Sequence, residues 1–389
     1  MTSLNPKFLI LISIILLLNF KDQQKSVLTN NASCPQDTTV LNPQYYLLQK
    51  AMWHYQEILA KGGWDSIPED INLEKIGINA VSIPLKNRLG AEGYLLNKNT
   101  LTMGDLKESL KLFQANNGLA VTGNLDSFTI NTLNISPQQR IDQLKINSER
   151  WMAEPCSMGK YYLFVNVADF SMKVVKNDTV RLQMKIIVGR PYRPTPVFHA
   201  RLTHLIFNPT WNIPPTILKN DILPAVKKNR SYLRKKHIRV FRTVNGVRRE
   251  VSINSINWKR ISAENFPYEL IEDPGPNNPL GVVKFMFPNS HNVYMHDTPT
   301  KELFKETELT FSSGCIRLSK ALDLANYLLK NAKGWDEERI KKTVKKGKTI
   351  AVLMPEPIEV YIEYFTAWVN EHDILQFRKD IYNKDIAVE

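Results

Sequence analysis

Cys315 and His296 carry the most informative chemistry in this 389-residue chain. They lie 19 positions apart in one strand–loop–helix passage. A thiolate attacks an acyl carbon, and a histidine within reach takes the thiol proton and returns it to the leaving amine. Cys315 sits in Ser312-Ser313-Gly314-Cys315-Ile316-Arg317, four residues before Ser319, the expected cap of a following helix. Gly314 lets the backbone turn sharply, so amides of the Ser313–Gly314 loop can point at a developing oxyanion. Arg317 and unpaired backbone N–H groups would favour the thiolate. In Val293-Tyr294-Met295-His296, alternation sets Tyr294 and His296 on one strand face and the apolar pair on the other. A cysteine or a histidine alone would read as an ordinary buried side chain; the pairing is what suggests acyl transfer.

These residues need strands beneath them, and the pattern supplies them. Tyr161–Val167 is β-rich, and Leu182, Met184, Ile186 and Val188 alternate, with Asn177-Asp178 as a hairpin turn between two runs. Strands are also expected at Val282–Phe287, Val293–His296 and Ile350–Met354, with one helix at Lys320–Leu329. Residues 208–278 interrupt this series with proline-rich, basic sequence too long for a passive loop, which predicts an inserted subdomain. Trp211 opens it, as either a lid contact or a core aromatic. Upstream, apolar spacing predicts helices at Gln44–Ala60 and Arg140–Trp151 and a compact helical unit in which Leu106, Leu110 and Phe113 share a face. The resulting division is an N-terminal signal or anchor at 1–21, a linker and scaffold helix at 22–71 and a helical module at 72–135. A connecting helix at 136–157, a catalytic domain at 158–355 with its insertion at about 208–278, and a C-terminal extension at 356–389 follow.

Composition narrows where such a protein works. Hydrophobic content of 43% and charged content of 23% are globular values and exclude a disordered chain or a collagen-like repeat. The apolar run Phe8–Leu18 follows Lys7. Its eleven residues span only about 16 Å at helical rise, short of a bilayer core, so it reads as an export signal, cleaved or kept as a membrane anchor. Ten of the residues from Lys227 to Arg249 are basic and none is acidic, and that segment carries most of the net charge of +13. Export makes nucleic acid an unsuitable partner and an anionic extracellular polymer a suitable one. Three cysteines exclude a disulfide framework, and no cofactor is implied. The seven histidines show no metal-ligand spacing, so no metal is expected, and His199, His204 and His291 are read as structural.

The motifs together resemble the L,D-transpeptidases of the YkuD family. The resemblance rests on His296-Asp297-Thr298-Pro299 and Ser313-Gly314-Cys315-Ile316-Arg317. It extends to Val188-Gly189-Arg190-Pro191, to Asn208-Pro209-Thr210-Trp211-Asn212-Ile213-Pro214-Pro215, to Asp273-Pro274-Gly275-Pro276-Asn277-Asn278 and to Lys284-Phe285-Met286-Phe287-Pro288-Asn289. Many members have histidine where this chain has Ser313, and in that it is similar to the large, lid-bearing Gram-negative branch. The unit around Leu106–Leu133 resembles the peptidoglycan-binding module of the same proteins. The resemblance implies an α+β multidomain protein: a mostly-β catalytic domain, a β-sandwich with one helix, beside a small all-α module. It implies Cys315 as nucleophile, His296 as base and acid, Gly314 and Ser313 as the oxyanion loop, and Tyr294, Arg317 and Trp211 on the substrate side. The implied reaction is 3–3 cross-linking of peptidoglycan stem peptides in the periplasm or cell envelope. A donor tetrapeptide forms a Cys315 thioester, which the amine of an acceptor diamino acid resolves. The same pocket with water as acceptor would make an L,D-carboxypeptidase or endopeptidase; without chemistry, the chain would be a wall-binding protein.

Overall fold

The computed structural model describes residues 41–69, 83–95 and 102–386; Phe8–Leu18 and Cys34 lie outside the described residues. Asn42 caps α1 (Pro43–Ala60), accepting a hydrogen bond from Gln44 N. A helix at 83–91, α2 (Met103–Asn116) and α3 (Ser127–Leu133) bury Leu85, Leu89, Leu106, Leu110, Phe113, Ile130 and Leu133 against one another. Gln114 is buried at their centre and knots the intervening loop, its Oε1 accepting from Thr122 N and Gly123 N and its Nε2 donating to Asn124 O. α4 (Pro137–Ala153) then crosses α1, and Leu48, Tyr55, Leu144 and Trp151 form their joint core.

The strands up to the insertion are β1 (Tyr161–Asn166), β2 (Ser171–Lys176), β3 (Thr179–Ile187) and β4 (Phe198–Phe207). The insertion adds β5 (Trp211–Asn212), β6 (Ile238–Val244), β7 (Val247–Val251) and β8 (Glu269–Glu272). After it come β9 (Val283–Met286), β10 (Met295–His296), β11 (Ile316–Leu318), β12 (Ile350–Glu363), β13 (Ala367–Val369) and β14 (Leu375–Phe377). Asn177 and Asp178 both have positive φ, the conformation of the expected tight hairpin turn between β2 and β3.

The mostly-β domain is present, and its layers join at both edges into a closed sheet of order β1-β12-β4-β9-β10-β11-β3-β2. Its interior holds Leu163, Val174, Ile186, Leu205, Phe285, Met295, Ile316 and Val360, all fully buried. Two helices accompany it, α5 (Ala321–Leu329) and α6 (Glu337–Lys346), rather than one. Ser319 does not cap the first: its N–H bonds Lys185 O, and the cap position falls on Lys320.

The boundary at 355 also moves. β12 runs through Pro355 and Pro357 to Glu363, and a register shift between Leu353 and Ile358 absorbs the two prolines that suggest a strand end. Its second half pairs with β1 and closes the barrel. Beyond it, Phe365, Ala367, Val369 and Phe377 enter the α1–α4 core, where the Phe365 ring stacks on Trp151 at 3.8 Å. Residues 356–386 therefore complete the fold rather than extend it.

The insertion has its own sheet, β5-β8-β6-β7, and its own core around Leu223, Val226, Leu233, Val240 and Trp258. Its two ends meet at the barrel, where Asn208 N donates to Val282 O and Asn278 Nδ2 to Pro209 O.

Candidate active site

β10 and β11 run parallel with Met295 opposite Ile316 and His296 opposite Arg317, and β9 places Lys284 opposite His296. One step earlier, Ile316 N donates to Tyr294 O at 3.1 Å, so Cys315 lies alongside Tyr294. Because side chains alternate, Phe285, Met295 and Ile316 enter the barrel core, while Lys284, Tyr294, His296, Cys315 and Arg317 share the opposite face. His296 is only 4% exposed, whereas Lys284, Tyr294, Cys315 and Arg317 are half-buried.

The cysteine loop is held from behind. Gly314 has φ +114°, a conformation a side chain would strain, and its N–H donates to Ser312 Oγ. Its carbonyl accepts from Thr195 Oγ1 at 2.8 Å, and the Thr195 hydroxyl in turn accepts from Gly189 N. Tyr382 Oη closes the network, donating to Gly189 O at 2.7 Å and accepting from Thr195 N. Ser313 Oγ accepts from Arg193, whose guanidinium also lies 3.7 Å from Asp221 of the insertion. The Gly314 amide is therefore committed to Ser312.

Electrostatics single out a cationic patch. Burial pushes the Cys315 thiol up, and the backbone and hydroxyl of Tyr294, then the charges of Lys284 and Arg317, act against that rise without cancelling it. The thiolate-favouring surroundings expected for Cys315 exist, but desolvation outweighs them. His296 is lowered to about 3, first by burial, then by Arg317, Lys284 and Lys301. Its Nδ1 faces the Asp297 carbonyl, which only accepts, so Nδ1 carries the proton and Nε2 keeps a lone pair. Burial lowers Lys284, with the Cys315 charge opposing, and its ammonium sits 3.8 Å over the Tyr294 ring. Arg317 is lowered by burial and by Arg190, and its Nε is buried without a hydrogen-bond partner. Among the described residues Lys284, Arg190 and Arg317 have no carboxylate partner.

The structure thus brings Cys315, His296, Tyr294 and Arg317 together and sets Ser313 and Gly314 as the loop before the thiol. Trp211 is 9% exposed and reaches the Tyr294 hydroxyl, joining the start of the insertion to the site. The sequence reading gives Lys284 and Arg190 no role of their own, although both lie in segments that carry the family resemblance; a lysine inside an otherwise apolar strand is a further signal. Cys156 is disulfide-bonded, which leaves Cys315 as a free thiol.

Residues 160–350 match the family model for the L,D-transpeptidase catalytic domain, termed YkuD. This chain carries a YkuD catalytic domain. Residues 83–133 match a model described as a "putative peptidoglycan binding domain", which coincides with the helical unit around Gln114. A Haemophilus influenzae protein described as a "putative L,D-transpeptidase" is 33% identical over 223 residues, 57% of this chain and 44% of that protein. The chain thus spans less than half the length of this relative. Solved L,D-transpeptidases from Mycobacterium smegmatis (13% identity, 52% of this chain and 58% of that one, TM-score 0.24) and Stackebrandtia nassauensis (9%, 72% and 88%, TM-score 0.25) are similar only at a level too slight to carry an inference. The YkuD domain contributes β1–β11 with both following helices, and the module stands on α1 and α4.

Proposed function

We propose that this protein is an exported L,D-transpeptidase that forms 3–3 cross-links between peptidoglycan stems through a Cys315 thioester. The observation that carries the reading is the shared face of Cys315, Tyr294, Lys284 and His296, with Nε2 of the histidine left as the only unprotonated imidazole nitrogen. His296 accepts the thiol proton as sulfur attacks the carbonyl of the third stem residue. An imidazolium is unstable in so buried and cationic a place, so the proton passes on readily to the amine of the departing D-alanine. Lys284 and Tyr294 stabilise the transient thiolate, and the Cys315 amide serves the oxyanion. Arg317, with its unmet Nε, and Arg190 offer a binding place for a stem carboxylate. Thioester transfer to the acceptor amine then regenerates the thiol.

The insertion acts as a lid. Its Trp211 meets Tyr294, and Asp221 meets the Arg193 that holds Ser313, so closure and the cysteine loop are mechanically linked. A closed lid excludes water from the thioester and favours amine as acceptor. Of the ten basic residues between Lys227 and Arg249, Arg239 and Arg248 are ion-paired. Lys227, Lys228, Arg230, Arg234, Lys235, Lys236, Arg242 and Arg249 are exposed and unpaired among the described residues, a surface suited to an anionic wall polymer. No helix among the described residues is long and apolar enough to cross a membrane; the export signal or anchor, and a periplasmic location, follow from the N-terminal sequence pattern.

The test is mass spectrometry of muropeptides after incubation of purified protein with tetrapeptide stems. Cross-linked dimers that vanish in Cys315→Ala support the proposal. Tripeptides alone would make the protein a carboxypeptidase, and unchanged stems a wall-binding protein.

A further inference from the structure

Away from the active site, three residues from separate segments converge on the barrel's outer wall. Glu154 follows the last turn of α4, His199 lies on β4, and Glu363 ends β12. His199 Nε2 is 2.7 Å from Glu363 Oε1 and 3.4 Å from Glu154 Oε2, and one donor atom from each residue falls within 4.8 Å of the others. The Glu154 and Glu363 side chains are 9% and 5% exposed, whereas His199 is 46% exposed at the rim. Glu154 Oε2 is sealed from solvent with no hydrogen-bond partner. Two adjoining carboxylates under cover repel each other unless a proton or a cation lies between them.

We propose that Glu154, His199 and Glu363 form a binding site for one divalent cation of the zinc class, which clamps the end of α4 to the barrel. Ligand distances of about 2.0–2.2 Å in a tetrahedral site set neighbouring donors roughly 3.4 Å apart. The His199–Glu154 pair already has that separation, and His199–Glu363 needs only a small opening. A cation would give Glu154 Oε2 its missing partner, and the exposed side of His199 leaves the fourth position to water. One imidazole nitrogen with two carboxylates suits zinc, whereas calcium and magnesium favour sites made of oxygen alone. The edge of the Tyr361 ring, 4.6 Å from the His199 ring, fixes the imidazole from the side. Ligand-spacing motifs cannot reveal this site, because its members are 45 and 164 positions apart; the β4–β12 ladder brings His199 to Glu363, and the end of α4 brings Glu154 to His199. The expectation of no metal rested on local spacing and does not apply to such a site. The clamp joins the helical arm, with its module, to the catalytic barrel.

The experiment uses tag-free full-length protein carrying Cys315→Ala, so that the free thiol cannot take the metal. The metal-stripped protein is titrated with Zn2+ by calorimetry and with Co2+ by visible absorption. One saturable Zn2+ per chain is expected, with affinity at least tenfold weaker after His199→Ala or Glu363→Gln and a raised melting temperature only in the parent. His199 is half exposed and Gln matches a protonated Glu in shape, so both variants should fold, as circular dichroism will verify. The absence of saturable Zn2+ binding in the parent, or an affinity in both variants unchanged from the parent's, would overturn the site and leave a shared proton between the carboxylates as the explanation.

Discussion

Acidification should destabilise this protein through His296, and by an amount the structure sets. The imidazole is held neutral, lowered to about 3 by burial and by the surrounding cations, while in the unfolded chain it titrates near 6.5. Between those two values the unfolded state binds the extra proton, so stability falls as pH falls through this window and is flat for this group above it. The full difference corresponds to about 5 kcal/mol, with roughly 2 kcal/mol lost already at pH 5. His296→Asn removes the titration while its side-chain amide can still donate to the Asp297 carbonyl that Nδ1 now serves. Urea unfolding of both proteins at pH 7.5 and pH 5 isolates the effect, because every other titrating group is common to the two. The stability advantage of wild type over the variant should shrink by about 2 kcal/mol at the lower pH. An advantage that is the same at both values would refute the neutral, caged imidazole, and with it the argument that His296 stands ready as a base throughout the physiological range.

Three further outcomes follow from the same geometry. Lys284→Met removes the cation over Tyr294, so the pH profile of Cys315 alkylation by iodoacetamide should move to more alkaline pH, and an unmoved profile would remove Lys284 from the site. Tyr382→Phe strips partners from Gly189 O and Thr195 N behind the cysteine loop and should cost about 2 kcal/mol in urea unfolding, with a larger fall in kcat than in KM. Replacing residues 213–270 by a short linker should shift products from cross-linked dimer toward tripeptide, and an unchanged ratio at low and high salt would dismiss the lid.

Which features could be seen in the sequence depends on how far apart their causes lie. The helices α1, α2 and α4 and the alternating β3 were visible because their burial repeats locally, every three to four or every two residues. Cys315 and His296 were visible because one short passage holds both. Lys284 was not, since a lysine in a strand reads as solvent-facing until the β9–β10 register sets it opposite His296. Pro355 and Pro357 concealed the length of β12, because only the neighbouring strands show that the register shift accommodates them. The rise of the Cys315 thiol was hidden for a related reason: nearby cations can be read from the sequence, but the loss of solvent that outweighs them belongs to the folded site. Tyr382 lies 193 positions from Gly189, and only the folded chain brings it behind the loop.

The central claim is that Cys315 becomes acylated by a stem tetrapeptide, and intact-protein mass spectrometry tests it directly. Wild-type protein quenched in acid during turnover should gain the mass of one tripeptide acyl group. Peptide mapping should place that group on Cys315, and Cys315→Ala should show no adduct. An adduct that persists in the alanine variant, or turnover in wild type with no Cys315 adduct under any quench time, would contradict the account.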